Sequence, residues 1–197
     1  MNAVERALRD FLAVRPPDIA TALVGGLAVS ARVEPRFTRD LDFAVAVASD
    51  DEAAQYVLRI RQLGYEIVSA LEQTTRQRLS TIRLRRGGRG PIVDLLFAAC
   101  GIEVEIAQAA EPMEIVAGVT ANVAQVGHLI AMKLLSRDPK RRPRDQQDLI
   151  DLAGVADGGE WKRAEAAIEL IQQRGYSRGR DLRAGLTELR AVTDDDA

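Results

Sequence analysis

The stretch from Leu23 to Val47, LVGGLAVSARVEPRFTRDLDFAVAV, sets the tightest limits on what this chain can fold into. It offers a short apolar run, two glycines and a helix-like segment, then a second apolar run entered through Asp-Leu-Asp. Within DLDFAVAV the alternation is clean. Leu41, Phe43, Val45 and Val47 fall on one face of an extended strand, and Asp40 and Asp42 fall together on the other. Carboxylates held side by side repel each other. A fold that forces them together usually has a cation to put between them.

The flanking segments read as alternating helix and strand. Residues 2–14 form an amphipathic helix with Val4, Leu8, Phe11 and Leu12 on one stripe, ended by Pro16-Pro17. Ala20–Val24 is a short strand, and Gly25-Gly26 turns the backbone into a helix over Leu27–Val33, closed by Pro35. Asp50 or Asp51 should cap a helix running through Leu63 to Gly64. Tyr65–Ala70 and Arg78–Arg86 read as strands, with RRGGRGP as a turn. Then IVDLLFA gives a third convincing strand, where Asp94 shares a face with Ile92 and Leu96 opposite Val93, Leu95 and Phe97. A carboxylate in the middle of so apolar a strand is unusual.

Helix-like GIEVEIAQAA and strands near Met113–Val116 and Ala121–Ala124 follow. Beyond Gln125 the segments read as helices over about 126–136, 144–154, 160–174 and 178–192. The expected organisation is α+β, with a core over 1–124, a helical region over 125–193 and a disordered acidic tail over 194–197. With 197 residues, 47% of them hydrophobic, a substantial core can form. A net charge of -2 gives no global attraction to nucleic acid, so local clustering must carry any such binding. A lone Cys100 excludes a disulfide framework and fits a reducing cytosol. Met1 is not followed by a signal pattern and no apolar run approaches membrane-spanning length, so a cytoplasmic protein with no membrane partner is expected.

If the strands bearing them are neighbours, Asp40, Asp42 and Asp94 converge. Three carboxylates make the hard-oxygen environment that Mg²⁺ (or Mn²⁺) prefers, with substrate phosphates completing the shell. Such ions can align an attacking hydroxyl with a nucleotide α-phosphate and stabilise leaving pyrophosphate. Taken singly, each Asp also reads as an ordinary strand-end residue. Gly25-Gly26 at a helix start would offer N–H groups to a phosphate, although a glycine pair alone is more often just a tight turn. Ser30, one turn on, suits phosphate contact and local hydrogen bonding about equally.

Lys133 sits on the apolar stripe of Val126, Leu129 and Ile130, so it either pairs with a carboxylate, reaches a cavity holding phosphate, or snorkels at the helix edge. Asp145 and Asp148 share the apolar face of Leu149 and Leu152 one helix later, which suggests a site or a buried partner, with Lys133 or Arg144 the obvious candidates. Two basic clusters could supply nucleic-acid affinity. One comprises Arg76, Arg78, Arg83, Arg85, Arg86 and Arg89; the other comprises Arg137, Lys140, Arg141, Arg142 and Arg144. Either could be a solvated face, and at 4% aromatic residues there is little for base stacking. His128, Cys100 and Trp161 read as structural.

Together, VGGLAVSARVEPRFTRDLDFAV and IVDLLF resemble the nucleotidyltransferase superfamily that includes DNA polymerase β, and LIAMKLLSRDPKRRPRDQQDLIDL resembles its AbiEii/AbiGii-type toxin branch. The R-x-T-x-D-[LI]-D segment typical of that branch is Arg36, Thr38, Asp40, Leu41, Asp42 here. The resemblance implies a small mixed sheet with flanking helices, followed by a helical bundle. It implies that Asp40 and Asp42 bind metal, that Asp94 activates the incoming hydroxyl, and that Gly25 and Gly26 hold the triphosphate. Lys133 and Asp145 would complete the nucleotide contacts, with Ser30 and Thr38 beside them. The expected activity is Mg²⁺-dependent transfer of NMP from an NTP to an acceptor hydroxyl, of RNA such as a tRNA 3′ end or of a protein. The protein would be the toxin of a pair with a cognate antitoxin. The alternatives are a nucleotide- or RNA-binding module without turnover and a small-molecule, antibiotic-type nucleotidyltransferase.

Overall fold

The computed structural model describes residues 2–36, 38–73, 77–88, 90–138 and 143–195. Helix α1 (Ala3–Val14) starts at a capping box. The Asn2 side chain accepts from the Glu5 N–H, and Glu5 accepts in return from the Asn2 N–H, both at 2.9 Å. Its stripe sinks Leu8 and Phe11 fully, and the Phe11 ring tilts onto Phe43 at 4.6 Å.

Seven strands form one mixed sheet among the described residues: β1 (Thr21–Val24), β2 (Leu41–Val45), β3 (Tyr65–Gln73), β4 (Arg78–Arg86), β5 (Val93–Leu96), β6 (Glu111–Val116) and β7 (Val119–Val123). Across the sheet they run β3-β4-β5-β2-β1-β7-β6. The central pair β2 and β5 is parallel, and parallel strands covered on both faces are apolar almost throughout. Leu41, Phe43, Ala44, Val45, Val93 and Leu95 obey this and are buried; Asp42 and Asp94 are the exceptions in chemistry.

Helix α2 (Gly25–Arg32) follows β1 with no intervening loop. It begins two residues earlier than the expected Leu27, because Gly25 itself takes a φ of +64° and makes the turn. The helices α3 (Asp50–Gln62) and α4 (Glu103–Gln108) complete the α/β part. The cap of α3 is Ser49 rather than either aspartate: its hydroxyl takes the Glu52 N–H at 3.2 Å. Asp50 is instead engaged by Arg78 at 2.6 Å and the Leu79 N–H at 3.1 Å, which ties α3 to β4. Strand β3 runs three residues beyond the expected end, and those residues, Leu71, Glu72 and Gln73, still pair with β4.

Four helices follow: α5 (Val126–Ser136), α6 (Pro143–Val155), α7 (Gly158–Gln173) and α8 (Leu182–Asp195). In α5, eight of eleven residues are buried, and it packs on α2, α6, α7 and α8. Each large apolar side chain removed from water there contributes roughly 1.5–3 kcal/mol. Gly127 allows the α5–α7 crossing, since a Cβ at this position would run into the Glu160 carbonyl and the Ala164 N–H. Helix α8 starts four residues later than expected, because Arg178 and Gly179 take left-handed φ values of 55° and 72° that no helix accommodates. At its other end α8 continues through Asp195, so the first two residues of the expected tail are helical in backbone. Residues 196–197 lie outside the described residues. Among the described residues no helix is long and apolar enough to cross a membrane.

Candidate active site

The sheet order places the acidic residues. Because β2 and β5 are neighbours in parallel register, Asp42 stands opposite Asp94 on adjacent strands. Asp40 lies just before β2 and borders the same cleft, of about 610 Å³. On the other flank of β2, Val24 pairs with Asp42, so the chain leaves β1 directly beside this carboxylate and turns at Gly25. A Cβ on Gly25 would coincide with the Asp42 carboxyl group. The glycine is therefore required twice, by its φ and by the acid packed against it.

Burial, the Asp94 charge and the Asp40 charge, in that order, push the Asp42 carboxyl up to about 7, against the opposing pull of Lys133 and Arg83. Asp94 is buried and already held: Arg83, its register partner on β4, donates from Nε to Oδ1 at 2.9 Å and from Nη2 to Oδ2 at 2.7 Å. Asp40 and Asp42 have no ion pair among the described residues. Nor do any three Asp, Glu, His or Cys side chains among them form a ready cage for a metal ion. The donor set nonetheless suits a hard divalent cation. The unpaired Asp42 faces Asp94 across one strand spacing, the unpaired Asp40 borders the same cleft, and Asp42 resists ionising without a nearby cation.

The opposite wall comes from α5 and α6. Lys133 reaches Asp145 Oδ1 and Asp148 Oδ2, both at 2.6 Å, and Arg36 reaches the same Asp148 oxygen at 2.7 Å. The lysine thus found a carboxylate pair, and the stripe acids found their cation. An ammonium has three donors, and two are committed here. The Ser136 hydroxyl lies 3.4 Å from the second Asp145 oxygen. Arg36 joins this network from the loop before β2, with its guanidinium beneath Gly26.

Two expected phosphate contacts are turned away from the cleft. The Ser30 hydroxyl donates back to the Gly26 carbonyl at 3.0 Å, the ordinary fate of a serine within a helix, and lines a separate cavity under α2. Thr38 lines that same cavity, and its hydroxyl donates to the Asp40 carbonyl at 3.4 Å. Of the second basic cluster, Arg144 is exposed and borders the cleft, whereas Arg137 points to Glu188 at 3.9 Å and does not. Lys140, Arg141 and Arg142 lie outside the described residues, as do Arg76 and Arg89 of the first cluster. His128 is buried, and burial followed by the Arg163 charge lowers it to about 4, so it is neutral near pH 7. Cys100 is buried with its thiol pushed well up by burial.

Sequence reasoning gave Arg36 and Arg83 no role in the site. Arg36 carried a signal, its place in the R-x-T-x-D segment. Arg83 reads in the sequence as part of the first basic cluster, and its alternation with Ile82 and Leu84 becomes informative for the site once β4 is known to lie beside β5.

Comparison with known proteins agrees with this architecture. No curated protein matches the sequence. The antibiotic-resistance factor ANT(2″)-Ia aligns over 100% of this chain and 94% of its own, at 15% identity and a TM-score of 0.52. The same enzyme in complex with adenylyl-2″-tobramycin aligns over 99% of both chains at 14% identity, again at 0.52. The nucleotidyltransferase toxin MenT4 from Mycobacterium tuberculosis H37Rv aligns over 97% of this chain and 91% of its own, at 15% identity and a TM-score of 0.38. The family model described as nucleotidyl transferase AbiEii toxin, type IV toxin–antitoxin system, matches residues 6–196. The chain belongs to this AbiEii family of nucleotidyltransferase toxins.

Proposed function

We propose that the protein moves NMP from an NTP to an acceptor hydroxyl of RNA or protein, with Mg²⁺ or Mn²⁺, in the cytoplasm. It would act as the toxin of a pair with an antitoxin. The observation that carries the reading is the in-register pair Asp42 and Asp94 beside the Gly25 turn, with the Lys133 network facing it.

Asp40 and Asp42 would hold the cation, with Asp94 beside them. When bound, the ion neutralises the carboxylates and the developing charge on the α-phosphate. The first N–H groups of α2, at Gly25 and Gly26, receive the triphosphate. Helices α5 and α6 close the nucleotide pocket from the side away from the sheet, and Lys133 is held in place by Asp145 and Asp148. Asp94 accepts the proton of the acceptor hydroxyl, whose oxygen then forms a bond to the α-phosphorus. The bond from that phosphorus to the α–β bridging oxygen breaks, and pyrophosphate leaves. Arg144 at the cleft edge suits contact with a phosphate-bearing acceptor.

The test is incubation with each labelled NTP, Mg²⁺ and total cellular RNA or protein. Label should enter one of these pools with the wild type and not with Asp42→Ala. Incorporation that persists in Asp42→Ala would sink the site assignment. Label on an added aminoglycoside, and on neither pool, would favour an antibiotic-modifying enzyme. Growth arrest on expression, lost in Asp42→Ala, would support the toxin role.

A further inference from the structure

The Arg83–Asp94 pair differs from the Lys133 pairs of the cleft. Lys133 lies against Asp145 and Asp148 with both sides enclosed: the lysine side chain is 12% exposed, and the acids are 10% and 2% exposed. Arg83 is 43% exposed over an Asp94 side chain that is only 9% exposed. It alternates with the buried Ile82 and Leu84, so it projects from the less covered face of β4. Its fork nevertheless takes both oxygens of Asp94, the strongest geometry available between these groups. The charges of Asp40 and Asp42 also act on Arg83, so its guanidinium lies in the field of all three acids.

We infer that Arg83 is a displaceable counter-ion: it neutralises Asp94 in the metal-free protein and competes with the divalent cation for that carboxylate. This rests on the metal role proposed for Asp42 and Asp94. The physical argument is one of exclusion. A carboxylate with both oxygens in a guanidinium fork has little left for a cation, and a second positive charge brought beside the first is repelled. Asp94 can join the cation only when Arg83 lets go, and its exposed position lets the long side chain turn into solvent at modest cost. Arg83 is thus a positioning residue. It keeps two facing acids compatible with a folded strand pair before the ion arrives, and it sets how tightly the ion binds.

The test is Mn²⁺ binding to the nucleotide-free protein by calorimetric titration. Arg83→Gln removes the fork and the charge and should bind Mn²⁺ roughly tenfold more tightly than wild type. Arg85→Gln removes an equal charge from the same face two residues along, where Arg85 donates to the Gly88 carbonyl at 3.4 Å. It should change affinity by less than about twofold, because screened surface charge acts weakly. Arg83→Lys, which keeps the charge without the fork, should fall between Arg83→Gln and wild type. It answers alone should Arg83→Gln not fold. Equal or weaker binding in both Arg83 variants, with wild type binding normally, would overturn this inference and leave the metal reading standing. Equal gains in Arg83→Gln and Arg85→Gln would also overturn it, as a general charge effect. No Mn²⁺ binding by the wild type or either Arg83 variant would overturn the metal reading and this inference together.

Discussion

Asp42 and Asp94 occupy the same level of two adjacent parallel strands and point to the same side of the sheet. Neighbouring strands lie roughly 4.8 Å apart, so the carboxylates cannot ignore each other. Asp94 is balanced by Arg83, while Asp42 is left against Gly25 with no cation partner among the described residues. Repulsion inside an otherwise apolar strand pair costs stability.

This gives a pH dependence with a definite sign. The folded Asp42 carboxyl titrates at about 7 against 3.8 when unfolded, so the folded state binds more protons between those values. In metal-free protein this group's destabilising contribution is absent below pH 4, grows as pH rises, and is complete above pH 7. Between pH 4 and 8, wild type should lose on the order of 2–4 kcal/mol more stability than Asp42→Asn. Urea unfolding in EDTA at both pH values checks this, and parallel profiles for the two proteins would refute it.

Lys133 is the shared cation of two buried acids, so Lys133→Met should destabilise by about 3–5 kcal/mol by leaving their charges under-compensated. Adding Asp145→Asn to that variant should recover more than about 1 kcal/mol, a coupling that a double-mutant cycle measures. Nucleotide binding should stay weak in the recovered protein. Independent, additive effects of the two substitutions would show that the contact is not energetically real.

Gly25→Ala combines left-handed strain of about 1–2 kcal/mol with a methyl group placed on the Asp42 carboxylate. Transfer activity should fall roughly 100-fold through misplacement of that acid. Gly26→Ala should do less, since its φ is not left-handed and its Cβ would lie 3.2 Å from the Arg36 and Thr38 side chains. Initial rates at saturating NTP separate the two, and equal losses would count against the special position of Gly25.

Gly127→Ala tests packing away from the chemistry. Its Cβ would meet the Glu160 carbonyl, so α5 and α7 must move apart, at about 1–3 kcal/mol. The shift would also lengthen the Gly127 N–H bond to Glu160, now 2.6 Å. A lower Tm is expected, with transfer per folded molecule reduced less than in Gly25→Ala. An unchanged Tm would show that the helices are not in close contact there.

Several elements were legible because local rules fixed them. The periodicities of α1, α5 and β2 follow from apolar spacing, and β4 has the bounds its alternation gives. Lys133 and the stripe acids were legible as anomalies, because charge on a buried helical face must find a partner. Helix ends were read less well. Ser49 rather than Asp50 caps α3 because Asp50 is drawn off by Arg78, 28 residues along the chain. Ser30 and Thr38 sit within suggestive motifs, but their hydroxyls are satisfied by nearby carbonyls.

By itself the sequence determined that Asp40 and Asp42 share a strand face, that Asp94 interrupts an apolar strand, and that Lys133 cannot stand alone. These follow from periodicity and from the cost of burying charge, which are local properties. Only the tertiary structure decided that β5 lies beside β2 in a register that sets Asp94 against Asp42, and that β4 brings Arg83 onto Asp94. It likewise joined Arg36 to Lys133 through Asp148. Strand order and register arise from the packing of the whole sheet, and no residue pattern within a single strand encodes its neighbour.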